Sequence, residues 1–378
     1  MNKRWLRNFG RRSGKQITLE DKLLLNLSSN DYMGYAADND LLQEFYSTIG
    51  DNNIIDDFGP GSSASRLLSG NHLGYSQLEE TLESLYGRPA LVYTSGYHAN
   101  IGILTAVTGK NDLIIADRLA HASIIDGIRL AAASYRRFPH MDYSALRQIL
   151  SEKRKQYDNV FIVTESLFSM DGDVSNLAEL VDIKKEFDAF LYLDEAHAVG
   201  AIGPRGLGVA EEQGALNDID LILGTFGKAL GGLGAFAICS KKTREHLVNN
   251  SRSLIYTTAL PPVTVNWNNW ILNRSSHDTA RREHLAVLAT QLRNELTSNG
   301  IETNGSSHIV PAIIGSSDSA VKLADKLMRK GFLSLPIRPP TVPENTSRLR
   351  FSLSASMNWT DISPVTQVLA KHHKRRQS

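Results

Sequence analysis

Cysteine is almost absent: Cys239, in the apolar run GAFAICS, is the only one in 378 residues. A single cysteine cannot close an internal disulfide, which fits a reducing compartment. No histidine lies near it in sequence, so Cys239 reads as a buried structural thiol rather than a nucleophile. Long apolar runs are missing too. None approaches the roughly 20 residues of a membrane span, and no membrane partner is expected. Net charge is scarce, with 41 basic against 40 acidic side chains, so bulk charge gives no reason to expect a nucleic-acid partner. The basic start MNKRWLRNFGRRSGK lacks the apolar stretch of a secretory signal, and the expected location is cytoplasmic. The basic end KHHKRRQS reads as a solvated, frayed terminus. No internal repeat and no metal site stands out.

What is present is alternation. The apolar segments ALVYTS (90–95), DLIIAD (112–117), NVFIVTES (159–166), FLYLDE (190–195), DLILGTF (220–226) and GAFAICS (234–240) read as strands buried on both faces. Helical periods lie between them. Leu78, Leu82 and Leu85 share a stripe that Gly87 stops, Asp142 caps a helix through Leu150, and 176–187 places Leu177, Leu180, Val181 and Ile183 on one side. This rhythm predicts an α/β fold with a mainly parallel sheet. Past residue 268 it changes. HLAVLATQLRNELTSNG (284–300) is an amphipathic helix, a second helix follows near 318–330, and HIVPAIIG, FLSLPIRPPTV and SRLRFSLSA alternate as half-buried strands. The organisation expected is an N-terminal arm at 1–35, a large domain at 36–268 and a smaller α+β domain at 269–378.

Five strand ends carry chemistry. LDEAHAVG puts Asp194 and His197 where an apolar strand stops; a carboxylate there is costly unless paired, or else caps the next turn. GTFGKALGG holds Lys228. A phosphate loop of the Walker type needs Ser or Thr after the lysine, and Ala229 stands there instead. The first strand also lacks GxGxxG. TSGYHANIG offers the amides of Gly96 and Tyr97 at a helix start, suited to an anion, and is equally an ordinary strand–turn–helix. His121 follows a buried strand, and TESLFSMDGD ends another. Open parallel sheets gather such ends into one crevice. A lysine that forms a Schiff base with an aldehyde and a carboxylate that holds a pyridinium nitrogen are a known pairing. The cofactor it calls for is pyridoxal 5'-phosphate (PLP).

From LNLSSNDYMGY (25–35) to RLRFSLSA (348–355), and most specifically in FSMDGD, LDEAHAVG, GTFGKALGG and IRPPTVP, the chain resembles the α-oxoamine synthases. These are fold-type I PLP-dependent transferases. The resemblance implies a seven-stranded, mainly parallel sheet and a homodimer with shared sites. It makes Lys228 the Schiff-base lysine and proton carrier, Asp194 the partner of the ring nitrogen, His197 a contact of the phenolic oxygen and His121 the stacking residue. Gly96, Tyr97, Ser169 and Thr225 would line the cofactor, with Thr225 toward its phosphate and Thr257 and Thr258 reaching the partner subunit's phosphate. Asn30, His121, Thr341 and Arg350 would bind substrate, Arg350 as a clamp on the amino acid carboxylate. An N-terminal arginine, Arg4 by ungapped counting or Arg7 by local look, would touch the acyl thioester.

IRPPTVP favours the family branch that condenses L-alanine with a pimeloyl thioester, on coenzyme A or on acyl carrier protein, with loss of carbon dioxide. The alternatives are glycine C-acetyltransferase, another α-oxoamine synthase, or an aminotransferase. Two further departures from the family pattern are Tyr75 and His72 near the first long helix, and Met357–Asn358 in SASMN.

Overall fold

The computed structural model describes residues 6–377. The chain folds as two compact units. One holds Phe45–Phe168 and Val174–Thr279; the other holds the residues up to Glu44, Ser169–Asp173, and Ala280 onward. The sequence rhythm divides at 35/36 and 268/269, whereas the units divide at 44/45 and 279/280. Packing accounts for the first unit's ends. Phe45 is buried and meets Phe58, Trp267 and Trp270 at ring distances of 5.3, 5.1 and 5.7 Å. The helix Pro262–Ser276 packs on the helix Leu73–Tyr86, and Thr81 donates to Asn269 Oδ1 at 2.7 Å.

The N-terminal strands are β1 (Phe9–Ser13), β2 (Gln16–Leu19) and β3 (Lys22–Asn26). The larger unit is built on β4 (Ala90–Tyr93), β5 (Leu113–Asp117), β6 (Ser134–Phe138), β7 (Val160–Glu165), β8 (Phe190–Asp194), β9 (Leu221–Thr225) and β10 (Ala235–Cys239). Their order is β4-β10-β9-β8-β7-β5-β6. β10 runs antiparallel to β4 and β9, and the other neighbours are parallel. This is the seven-stranded, mainly parallel sheet that the resemblance implies. Six of its strands coincide with the apolar segments. The seventh, β6, was not expected: SYRRF is exposed over its middle three residues, because it closes an edge of the sheet and need not be apolar on both faces. Helix caps follow the sequence. Asp142 accepts from Ala145 N–H at 2.9 Å, Asn176 from Glu179 N–H at 3.3 Å, and Gly87 ends its helix in the left-handed region at φ 69°.

In the smaller unit, β3 pairs in parallel with β12 (Phe332–Leu333), giving the order β1-β2-β3-β12. A second sheet sets β14 (Ser347–Ser352) between β11 (Ile309–Gly315) and β13 (Pro336–Ile337). The helix Thr279–Ser298 buries Leu285, Leu288, Leu292 and Leu296, the stripe read from sequence. Burial along β14 is nearly continuous rather than alternating. The last helix runs from Trp359 to Gln377 and takes in most of the basic end. Among the described residues no helix is long and apolar enough to cross a membrane, and no cluster of side chains suits a metal ion.

Candidate active site

The parallel strands of the larger unit place their carboxyl ends together, and one buried amide organises what emerges there. Asn100, on the helix Gly96–Val107, donates from Nδ2 to Asp194 Oδ2 at 2.9 Å and to Ser123 Oγ at 2.9 Å. Its Oδ1 accepts from Tyr192 O–H at 2.5 Å. Asp194 Oδ1 accepts a further bond from Ala196 N–H at 2.9 Å. Every polar atom of the Asn100 amide is thus used, which fixes its orientation and that of the carboxylate.

The same chain of bonds reaches His121. Ser123 Oγ, already an acceptor from Asn100, lies 2.7 Å from His121 Nδ1, and Ser123 N–H donates to the same nitrogen at 3.2 Å. Nδ1 is therefore an acceptor, and the neutral ring carries its proton on Nε2. Burial lowers the pKa of His121 below its ordinary value, opposed by the Asp194 charge and assisted by that of Lys228. At neutral pH the ring is an uncharged flat surface with a fixed tautomer.

Lys228 lies half-buried in a compact loop after β9. Gly232 N–H donates to Phe226 O at 2.8 Å, Phe226 N–H to Gly234 O at 3.0 Å, and Gly231 N–H to Lys228 O at 3.0 Å. Thr225 belongs to the same lacing: its hydroxyl donates to Gly234 O at 2.9 Å and accepts from Gly227 N–H at 3.2 Å. The turn carrying His197, which is buried, rests against this loop. Gly200 has φ 86°, and a Cβ there would come within 2.8 Å of Ala229 Cβ, beside Lys228. Glu195 clamps that turn from inside. It accepts from Ser166 O–H, from Ala210 N–H at 2.7 Å and from Val209 N–H at 3.1 Å. Burial nonetheless pushes its carboxyl up to about 7.

Gly96 and Tyr97 begin the helix that carries Asn100. Ser95 caps it by accepting from His98 N–H at 3.2 Å, which leaves the Gly96 and Tyr97 amides at the helix N-terminus. Tyr97 is exposed, and its hydroxyl donates to Asp126. Thr257 and Thr258 border an open surface pocket with Ser65, Leu67, Leu68 and Tyr256. That stretch is anchored through Leu260, whose N–H donates to Tyr75 O–H at 2.6 Å and whose carbonyl meets Ser62 Oγ at 2.5 Å and His72 Nε2 at 3.2 Å.

The smaller unit gathers another set. Arg350, on β14, donates from one terminal nitrogen to Asn30 Oδ1 at 3.2 Å and to Tyr32 Oη at 3.2 Å, while Tyr32 O–H donates to Asn30 Oδ1 at 3.1 Å. Burial pushes the Tyr32 phenol up to about 12, against the pull of Arg350. Tyr32 also packs against the tilted ring of His308, with centroids 4.1 Å apart. Ser169 is half-buried and belongs to this unit; Thr341 is exposed in a turn closed by its N–H to Arg338 O at 3.0 Å. Arg7 is exposed and touches Met328 Sδ at 3.6 Å. Arg4 lies outside the described residues. In the SASMN stretch, His284 Nε2 meets Met357 O at 2.7 Å, and Asn358 N–H donates to Asp361 Oδ2 at 2.7 Å.

Comparison with known proteins fits this picture. The family described as aminotransferase class I and II matches residues 22–369. The chain belongs to the class I and II aminotransferase family. Within reach of this family lies an 8-amino-7-oxononanoate synthase of Chlorobaculum parvum, 49% identical over 97% of this chain and 94% of the relative. Among solved structures, a serine palmitoyltransferase from S. paucimobilis, with PLP bound as its myriocin aldimine, superposes with a TM-score of 0.90 at 29% identity over 97% of this chain and 91% of its own. An 8-amino-7-oxononanoate synthase from Francisella tularensis gives 0.80 at 27% identity, over 94% and 99%.

For a member of the class I and II aminotransferase family, the residues that sequence reasoning passed over are instructive. Asn100 lies inside the quoted TSGYHANIG, yet it was not singled out. Its signal was a polar amide inside an otherwise apolar helix, since Asn is a poor helix-interior residue without a partner. Ser123 and Tyr192 join it, and Glu165 ends β7 fully buried.

Proposed function

We propose that this protein joins L-alanine to a pimeloyl thioester, carried on coenzyme A or on acyl carrier protein, and releases carbon dioxide to give 8-amino-7-oxononanoate for biotin synthesis in the reducing cytoplasm. It is a PLP-dependent acyltransferase. The observation that carries the reading is the buried Asp194, fixed by Asn100 among the same groups as Lys228 and His121, together with relatives named for this reaction. The donor set fits PLP: an anion for the ring nitrogen, an amine for the aldehyde, and helix-terminal amides for the phosphate. When bound, PLP draws electrons from an amino acid's α-carbon, easing loss of a proton or of carboxylate there.

The chain's own residues do the rest. Lys228 anchors the cofactor and then removes and returns the proton at the α-carbon. Asp194 holds positive charge at the ring nitrogen, and His197 steadies the phenolic oxygen. His121, uncharged, gives a flat face for stacking. Gly96, Tyr97, Ser169 and Thr225 line the cofactor, and Thr257 and Thr258 serve the partner subunit's phosphate in a homodimer. Arg350 holds the amino acid carboxylate, Asn30 and Thr341 contact the substrate, and Arg7 or Arg4 the acyl thioester. Most of these cofactor residues fall in the larger unit, Phe45–Phe168 and Val174–Thr279, whereas Ser169 belongs to the smaller one.

The test is a panel of amino acids against acyl thioesters, scored by free thiol and product mass. Thiol release with L-alanine and pimeloyl-CoA or pimeloyl-acyl carrier protein is expected. Release with glycine and acetyl-CoA alone would replace the pimeloyl assignment with glycine C-acetyltransferase. Amino-group transfer to a keto acid without thiol release would favour the aminotransferase reading that the family description raises.

A further inference from the structure

Two carboxyl groups end neighbouring strands side by side. In the parallel pairing of β7 with β8, Glu165 stands opposite Asp194. Their side chains therefore leave the same face, with backbones about 4.8 Å apart. Glu165 is 3% exposed and Asp194 4%. Two like charges buried this closely do not both ionise at neutral pH. The hydrogen-bond donors separate them. Asp194 receives the Asn100 amide and the Ala196 N–H, whereas the Glu165 carboxyl receives the backbone N–H of His121.

We propose that Glu165 keeps its proton at neutral pH and is a positioning residue acting through Asp194, which it leaves as the anion opposite the Lys228 charge. The proposal rests on the cofactor reading for what Asp194 does, though not for the state of Glu165 itself. The groups facing Glu165 support it. Burial foremost, then the Asp194 charge and more weakly Asp117 on β5, push its carboxyl well above the usual range, against the Lys228 charge and the His121 N–H. An ionised Glu165 would compete with Asp194 for Lys228. A neutral one leaves Asp194 as the carboxylate facing the Lys228 charge and adds an O–H donor to a buried crevice.

The sign of the pH dependence follows. In an unfolded chain Glu165 ionises near about 4.3. A raised folded value means that the stability Glu165 lends is full below that pH and is lost as pH climbs toward the folded value. Glu165→Gln copies the neutral acid and lacks this loss.

Three measurements test it. Infrared spectra of the apoprotein, taken above the titration of Glu195 at about 7, should show a carboxylic-acid band that shifts with isotope-labelled glutamate and vanishes in Glu165→Gln. Its absence from the native protein overturns the proposal, and if the variant fails to fold, this band in the labelled native protein decides alone. The apoprotein melting difference, variant minus native, should grow by about 2 °C or more between mildly acidic and mildly alkaline pH; a flat difference counts against a raised titration. The variant should bind PLP within about threefold of native, and a loss of tenfold or more would make Glu165 a needed anion. If the native protein itself does not hold PLP, the cofactor reading falls, while the infrared and melting results still decide Glu165.

Discussion

At the scale of single residues, the site is a set of fixed protonation states. His121 accepts at Nδ1 and its charged form is disfavoured by burial. An NMR titration of its ring should therefore give a midpoint below the ordinary value of about 6.5, with the neutral Nε2–H tautomer at pH 7. A midpoint at or above that value contradicts the stacking role. Arg350 uses one terminal nitrogen on Asn30 and Tyr32, and its fork is what a carboxylate would engage. Arg350→Lys keeps the charge and loses the fork, so the KM for the amino acid should rise roughly tenfold, with a smaller change in kcat. The positions of Lys228, Asp194, His197 and His121 at or just past the ends of apolar strands were legible, because charged or titratable groups there are conspicuous. Asn100 and Ser123 were not: uncharged groups declare themselves only through partners, and theirs come from elements 23 and 94 residues away.

At the scale of elements, the glycines of GTFGKALGG serve the protein before they serve any ligand. Gly224 on β9 pairs with Phe236 on β10, and a Cβ there would lie 2.2 Å from the Phe236 ring. A Cβ at Gly232 would lie 2.2 Å from Asn268 Oδ1. Two of the four glycines, Gly224 and Gly232, make room for side chains of the chain itself. Gly224→Ala should destabilise by about 1–3 kcal/mol through overpacking, seen as a lower melting temperature of the apoprotein, where no cofactor contributes. An unchanged melt would show that Phe236 has space to move. The six buried strands were legible because continuous apolar runs mark burial on both faces. β6 was not, since an edge strand with Arg136 and Arg137 outward looks like a loop.

At the scale of the whole molecule, the larger unit exposes a run of large apolar side chains. Leu68 is 80% exposed, Tyr256 71% and Leu67 50%, all beside Thr257 and Thr258. The proposed homodimer would cover them. Native protein should sediment as a dimer, and Leu68→Asp should shift it toward monomer and cut PLP retention together; a monodisperse native monomer would sink the shared-site reading. The two-unit organisation was only partly legible. The change of rhythm near residue 268 marks a transition, but the assignment of the first 44 residues depends on β3 meeting β12, a pairing between Leu25 and Phe332 that no local pattern announces.

That pairing has a consequence for how the chain is made. The larger unit is complete once Thr279 has left the ribosome, yet β3 must wait for a partner 307 residues downstream. At about 5–20 residues per second, the wait is roughly 15 to 60 s. During it the strand Lys22–Asn26, with Leu23, Leu24 and Leu25 in a row, presents an open apolar edge to solvent. The nascent chain therefore carries an unpaired apolar strand edge throughout that wait, and shielding it is a natural task for a chaperone.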